Sequence, residues 1–309
     1  MLDCQTDRVL TEEPGRRSFF KYASASTTLA ILESKSVRYS SPLTFNDPFD
    51  VQSGLHFDFD ISTLQDKVLD KLEELAAAKD MPPVDESGPL GKAIKTVRKH
   101  YPTHGFPRDK LRQLTTDLFG FLVEQIEITR KKYQEHWWQS MLPGLRVFCV
   151  SEERDDLLMW AHYARDHTGA VFEFLSLPEE DNPLSVAKPI KYVSRPPSFF
   201  TEEEWLDHIF SLKKLEKTDF YIRYAYYKSE NWAYEREWRV WYPIIPAPET
   251  LYDDVPIRES EFVSLYIGCR ADPEFEAKAT RLVKSAFPNV RIYKAKKREE
   301  IYALDYTEI

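Results

Sequence analysis

Apolar and polar positions repeat with two different periods along the chain, and each period marks a type of element. Short apolar or aromatic runs at 19–22, 37–40, 145–150, 170–174, 237–242, 262–268 and 290–294 predict strands, the last being the final strand. Helical spacing marks 26–34, 61–80, 109–139, 155–166 and 273–287. In the second of these, Ile61, Leu64, Val68, Leu72 and Leu75 recur at helical intervals, with Ser62 and Gln65 as a capping box. Gly169 reads as the stop of the 155–166 helix. Thr201 and Glu204 form another capping box, opening a helix to about residue 217. Residues 1–16 read as a polar lead-in, and 41–50 and 81–91 as loops built on proline.

Strands scattered among helices, without regular βαβ alternation, predict an α+β protein. Its β core is mixed or antiparallel and flanked by helices. The chain reads as a single domain, 1–309, with a helical insertion or subdomain at about 61–142. Internal repeats are absent, and so are GxGxxG and GxxxxGK[ST], the two standard phosphate-binding loops.

Composition adds limits on function. With 42% hydrophobic and 30% charged residues the chain can form a packed core. Its 14% aromatic content points to an aromatic core, groove or pocket. A net charge of -9 argues against nucleic acid as a partner, because phosphate contacts need a basic face. KAKKR at 294–298 reads as a solvated surface run. Cys4, Cys149 and Cys269 lack CxxC spacing, so neither a disulfide framework nor a zinc knuckle is expected. No apolar run is long enough to span a membrane and no signal core is evident, so a soluble cytoplasmic protein is expected. No metal is predicted, and nothing identifies a protein partner.

Polar chemistry concentrates in FNDPFD (45–50), MWAHYARDHTGA (159–170) and YEREWR (234–239). As a strand, YEREWR puts Glu235, Glu237 and Arg239 on one face. That row suits a hydroxyl-binding or acceptor-activating site, or a cross-strand salt-bridge ladder. As a helix, MWAHYARDHTGA puts His162 and Asp166 on one face and His167 in the last turn, where a cationic imidazole is favoured. His162 then reads either as a core histidine on a backbone carbonyl or, with Trp160 and Tyr163, as part of a pocket for a flat ring. In FNDPFD, Asn46 and Asp47 suit an Asx turn, and Asp47 with Asp50 could also bind a metal.

The pieces KY (21–22), SP..FNDPFD (41–50), FCVSE....LLMWAHYA..H.G (148–169), YEREWR (234–239) and LYIGC (265–269) together resemble the bacterial family known as domain of unknown function 2971. The likeness runs from about residue 18 to 304 and leaves out 61–142. That family carries no reaction in its name. The layout is also similar to ADP-ribosyltransferase-like folds, which hold NAD on a split β core and end an E-x-E step in a catalytic glutamate. By that resemblance, Glu237 would stabilise an oxocarbenium-like ribose through its 2′-hydroxyl, and Glu235 would orient the acceptor. His162 would join them as a catalytic residue. Lys21, Tyr22, Asn46, Asp47, Trp160, Tyr163, His167 and Arg239 would bind the substrate. Lys21 and Tyr22 stand where a histidine or arginine is expected, and no Ser-Thr-Ser signature follows.

Three readings of function stand at this point. The first is an enzyme acting on NAD or a related nucleotide, as ADP-ribosyltransferase or glycohydrolase. The second is a metal-assisted hydrolase or nuclease built on Asp47, Asp50, His162 and a glutamate. The third is a non-catalytic ligand- or protein-binding sensor. A setting in phage defence or toxin function is an analogy for any of them.

Overall fold

The computed structural model describes residues 16–309, apart from 55, 57–58, 81–83, 85–87 and 214–222. The lead-in, Cys4 and most of the 81–91 loop therefore lie outside the described residues. The fold is α+β. Strands are β1 (Ser18–Ala23), β2 (Ser36–Ser40), β3 (Leu145–Ser151), β4 (Ala170–Leu175), β5 (Lys188–Pro189), β6 (Lys191–Val193), β7 (Tyr227–Ser229), β8 (Glu237–Pro243), β9 (Tyr252–Pro256), β10 (Phe262–Ile267), β11 (Arg291–Lys297) and β12 (Leu304–Glu308). The main helices are α1 (Ala25–Ser34), α2 (Leu64–Ala77), α3 (Pro89–His104), α4 (Arg108–His136), α5 (Leu157–His162), α6 (Glu202–Ile209) and α7 (Pro273–Ala286). The chain divides into two compact units: Met1–Asp50 with Leu142–Ser194 and Lys228–Ile309, and Val51–Met141 with Arg195–Tyr227.

The first unit is built on a sheet in the order β12-β11-β10-β4-β1-β3-β2-β9, with β8 on β3 and β5 on β8. Among the described strand pairings of this sheet only β10–β11 is parallel. β3 is its branch point. It pairs with β8 along its full length, from Leu145↔Pro243 to Ser151↔Glu237. It meets β1 only at Phe20↔Ser151 and β2 only at Ser40↔Val147. β6 and β7 form a separate ribbon.

Alternation along the strands gives each face its own core. On one face, the Phe172, Phe174 and Phe262 rings stand within 5.3–5.9 Å of each other. Phe275, Ala279 and Val283 of α7 and Ile31 and Leu32 of α1 cover them. On the other face Tyr22, Trp160, Val171 and Tyr266 cluster. Each fully buried ring or branched chain contributes about 1.5–3 kcal/mol.

Several expected boundaries differ. α5 stops at His162, and Arg165, Asp166 and His167 all take positive φ (46, 58 and 63°). His162 and Asp166 therefore do not share a helical face. The left-handed turn carries the chain back so that Gly169 lies against β1, where an added Cβ would meet the Ala23 carbonyl. β11 is not the last strand, since β12 pairs with it antiparallel. KAKKR lies on this surface pair, with Lys294 on Glu276 (2.6 Å) and Arg298 on Asp305 (3.1 Å). Cys149 and Cys269 are free and only partly buried.

In the second unit α2 buries Leu64, Val68, Leu72 and Leu75. The expected Ser62–Gln65 box is replaced by a 3-10 turn, Ile61–Thr63, capped by Asp60, which accepts from the Ser62 amide at 2.8 Å. Arg98 of α3 closes the other end of α2 by donating to the carbonyls of Leu75 (2.9 Å) and Ala78 (2.6 Å). The Thr201–Glu204 box is present, with bonds of 3.1 and 3.0 Å. Its helix ends at Ile209, before Ser211 at φ 59°, and 214–217 of the expected stretch lie outside the described residues. No described helix is long and apolar enough to cross a membrane.

Candidate functional site

YEREWR is not one strand. Glu230–Glu235 forms a 3-10 turn, Arg236 sits at φ 41°, and β8 begins at Glu237. Left-handed backbone costs a non-glycine residue about 1–2 kcal/mol, and here it swings Arg236 out to Glu153 (3.1 Å). Glu235 and Glu237 still meet, because both carboxylates bind the Lys228 ammonium of β7, Glu237 at 3.0 Å. Strand alternation groups Glu235 with Glu237 and Arg239, and the structure brings them together by a turn instead.

The result is a buried ion cluster. Arg239, fully buried, donates to Glu237 Oε1 (2.6 Å) and Oε2 (3.1 Å) and to Asp50 Oδ2 (2.6 Å). Lys228 is also 3.4 Å from Asp50. Three carboxylates thus face two cations, and Glu235, Glu237 and Asp50 are only 3%, 5% and 4% exposed. Asp50 Oδ1 is buried with no hydrogen-bond partner. Tyr163 donates to Glu235 Oε1 at 2.5 Å. The Tyr192 hydroxyl accepts from the Glu237 amide at 2.8 Å. Below them lies β3, where Cys149 pairs in register with Arg239.

The two glutamates are pushed in opposite directions. Burial raises Glu235, Lys228 opposes it, and the neighbouring Glu237 charge raises it further, so it holds its proton above the ordinary carboxyl range. Burial would also raise Glu237, but Arg239 and then Lys228 overcome it and hold Glu237 well below that range. Burial opposes the charge on Lys228, yet Glu237, Asp50 and Glu235 keep it firmly protonated. Burial pushes the Cys149 thiol up, and the Glu237 carboxylate adds to it.

Around the cluster lies a polar and aromatic rim. Asp47 forms the expected Asx turn, Oδ1 accepting from the Phe49 amide at 2.9 Å. Its Oδ2 accepts from the Trp232 indole at 2.7 Å, tying FNDPFD to the 3-10 turn. Asn46 bonds the Tyr163 hydroxyl. His162 is exposed, not a core histidine, and its Nδ1 lies 3.0 Å from the Tyr234 hydroxyl. Trp232 and Tyr234 are half-buried, their rings 6.0 Å apart, with the Lys228 ammonium 5.2 Å from the Trp232 ring. Phe49 is 73% exposed.

The remaining predicted residues stand elsewhere in the unit. Lys21 donates to the Cys149 carbonyl at 2.9 Å, and Tyr22 to the Glu153 carbonyl at 2.9 Å. Trp160 is fully buried, stacked on His167 (5.9 Å, 7°) and edge-on to Tyr22. His167 lies past the helix end. Burial, then Arg270, lowers its pKa despite Asp166, so its surroundings disfavour the expected cationic imidazole. Its Nδ1 is buried without a partner. Among the described residues no three His, Cys, Asp or Glu side chains form a metal-holding group. Sequence reasoning missed Lys228, Tyr192, Trp232 and Tyr234. The one signal for three of them was the density of aromatic and charged residues in YKSENWAYEREW.

Comparison with known proteins adds one match. Residues 159–240 match the model of a family described as a protein of unknown function, DUF2971. The stretch runs from α5 to β8 and holds Tyr163, Lys228, Glu235, Glu237 and Arg239. No curated protein and no solved structure matches the chain.

Proposed function

We propose that the chain is an ADP-ribosyltransferase-like enzyme that breaks the N-glycosidic bond of NAD or a related nucleotide. One observation carries the reading: two buried carboxylates two residues apart share the Lys228 ammonium, with Arg239 bound to Glu237 alone and the Tyr163 hydroxyl to Glu235 alone, an asymmetry that pushes their protonation in opposite directions. Such a pair separates the roles of fixed anion, for the developing cation, and proton acceptor, for the attacking group. Glu237, pinned by Arg239 and Lys228, supplies constant negative charge to the developing ribosyl cation. Nicotinamide leaves as a neutral ring with the bonding pair. A water or acceptor hydroxyl attacks C1′, and its proton passes to the ionised form of Glu235, whose raised pKa brings it closer to neutral pH. Tyr163 holds Glu235 in place. Trp232, Tyr234 and His162 offer the outer surface on which a flat ring stacks. A role in phage defence or as a toxin would follow from such an activity on a cellular cofactor.

Incubating the purified protein with NAD and measuring nicotinamide release tests this. Glu235→Gln should lower the rate by about 10²–10⁴-fold with the fold intact, the usual range for a positioned acid–base group. A folded Glu235→Gln with an unchanged rate would sink the proposal.

A second reading rests on the mutual pairing of the cluster's buried charges. Buried, hydrogen-bonded ion pairs also serve as specificity devices in non-catalytic binding modules. In that case no nucleotide would be turned over, and the glutamate variants would change only stability and binding. The metal-assisted reading has Asp47 on Trp232, Asp50 on Arg239 and His162 on Tyr234. Activity abolished by chelation and restored by a divalent metal would favour it.

A further inference from the structure

The face of the sheet opposite the ion cluster carries a part-open cavity of about 290 Å³. Phe148 lines it, while the next residue, Cys149, pairs with Arg239 and points to the other face. Tyr39, Phe148, Phe174 and Leu184 form its apolar walls, and Arg258 and Glu261 bring charge to it. The volume sits near the lower end of small-molecule sites, about 300 Å³.

Glu261 is 7% exposed. Its Oε1 accepts from the Arg258 backbone amide (3.0 Å) and its Oε2 from the Asn182 amide nitrogen (3.1 Å). Asn182 is itself 1% exposed, so the carboxylate is held on a built-in support. Both donors are neutral, and no described cationic side chain forms an ion pair with Glu261. A buried charge left without a counter-charge is costly, which favours a cationic occupant. Arg258 is the complement. Its Nη1 donates to the Glu180 carbonyl at 2.6 Å, and its other guanidinium nitrogens bond no described group. The Tyr39 hydroxyl likewise bonds no described group, though the residue is 3% exposed. Burial, and then the Glu261 carboxylate, hold its phenol above the usual range.

We propose that this cavity binds a free apolar amino acid, its ammonium on Glu261, its carboxylate on Arg258 and its side chain against Tyr39, Phe148 and Phe174. A simple amine would leave Arg258 unmatched and face its repulsion. A simple acid would leave Glu261 unmatched. The zwitterion answers both charges, and the aromatic wall takes an aliphatic or aromatic side chain. The site is independent of the nucleotide reading, because none of its residues belongs to the ion cluster.

Calorimetric titration and thermal unfolding of the full chain test this, with phenylalanine, phenethylamine and 3-phenylpropionate as ligands. Phenylalanine should bind saturably and raise Tm. Each analogue, having lost one charge, should bind at least about tenfold more weakly, a difference of about 1.4 kcal/mol. Glu261→Gln should remove the ammonium preference. Leu184→Trp, which fills the cavity and leaves both charges in place, should abolish binding and decides the matter if Glu261→Gln does not fold. Absence of saturable phenylalanine binding, equal binding of all three ligands, or unchanged binding by folded Leu184→Trp would each overturn the proposal.

Discussion

Glu237 and Glu235 show how far a neighbour can move a carboxyl group. Removing the Glu237 charge takes from Arg239, which is fully buried, the carboxylate to which it donates twice, and leaves it Asp50. Glu237→Gln should therefore destabilise the protein by about 1.5–3 kcal/mol, the worth of hydrogen bonds to a charged group, in denaturant unfolding near neutral pH. The pH dependence differs for each group. Glu237 has a depressed folded-state pKa, so its contribution is complete above the ordinary value of 4.5 and is lost as pH falls through the depressed value. Glu235 is raised, so its contribution is complete below 4.5 and is lost as pH rises through the raised value. The Tm advantage of wild type over Glu235→Gln should accordingly shrink as pH rises above 4.5. An advantage that grows over that range would contradict the assigned direction. Tyr163→Phe removes the 2.5 Å bond to Glu235 and should move the lower limb of any pH–rate profile to higher pH.

Elements with long, regular periods could be read directly. α2 and α7 each set a full apolar stripe against a core, and the structure places them within a few residues of the expected bounds. α3 was missed because KAIKTVRKHYPTH is strongly charged and carries Pro102 inside the helix. β9 and β12 were missed because YDDVP and LDYTE are mostly exposed edge strands, where alternation has little apolar contrast. The site was half legible. Period two correctly aligns Glu237 with Arg239, but Glu235 reaches them from a 3-10 turn through a left-handed Arg236. No strand rule shows that turn, and no spacing reveals Lys228 as the shared partner of both glutamates. The turn after α5 has a similarly local cause, since Gly169 allows β1 and β4 to approach closely. Gly169→Ala drives a Cβ into the Ala23 carbonyl and should cost at least about 1–3 kcal/mol, read as a lower urea midpoint. An unchanged midpoint would mean that the end of β1 yields there freely.

At the scale of the molecule, the first unit gathers the chemistry from three distant stretches of chain. Asp47 and Asp50, Tyr163 and Tyr192, and Lys228 through Arg239 all belong to it. The branch at β3 makes this possible, because β8 lies fully paired on β3 and presents Glu237 and Arg239 beside Cys149. Composition foretold the aromatic character, and it is spent on both faces of the sheet and on the rim of the cluster. The central claim is that the opposed glutamate pair breaks a glycosidic bond. Nicotinamide release from NAD, measured side by side for wild type and a Glu235→Gln variant shown to be folded, tests it most directly. The account predicts release by wild type and a loss of about 10²–10⁴-fold in the variant. No release by wild type, or equal release by both, would contradict it.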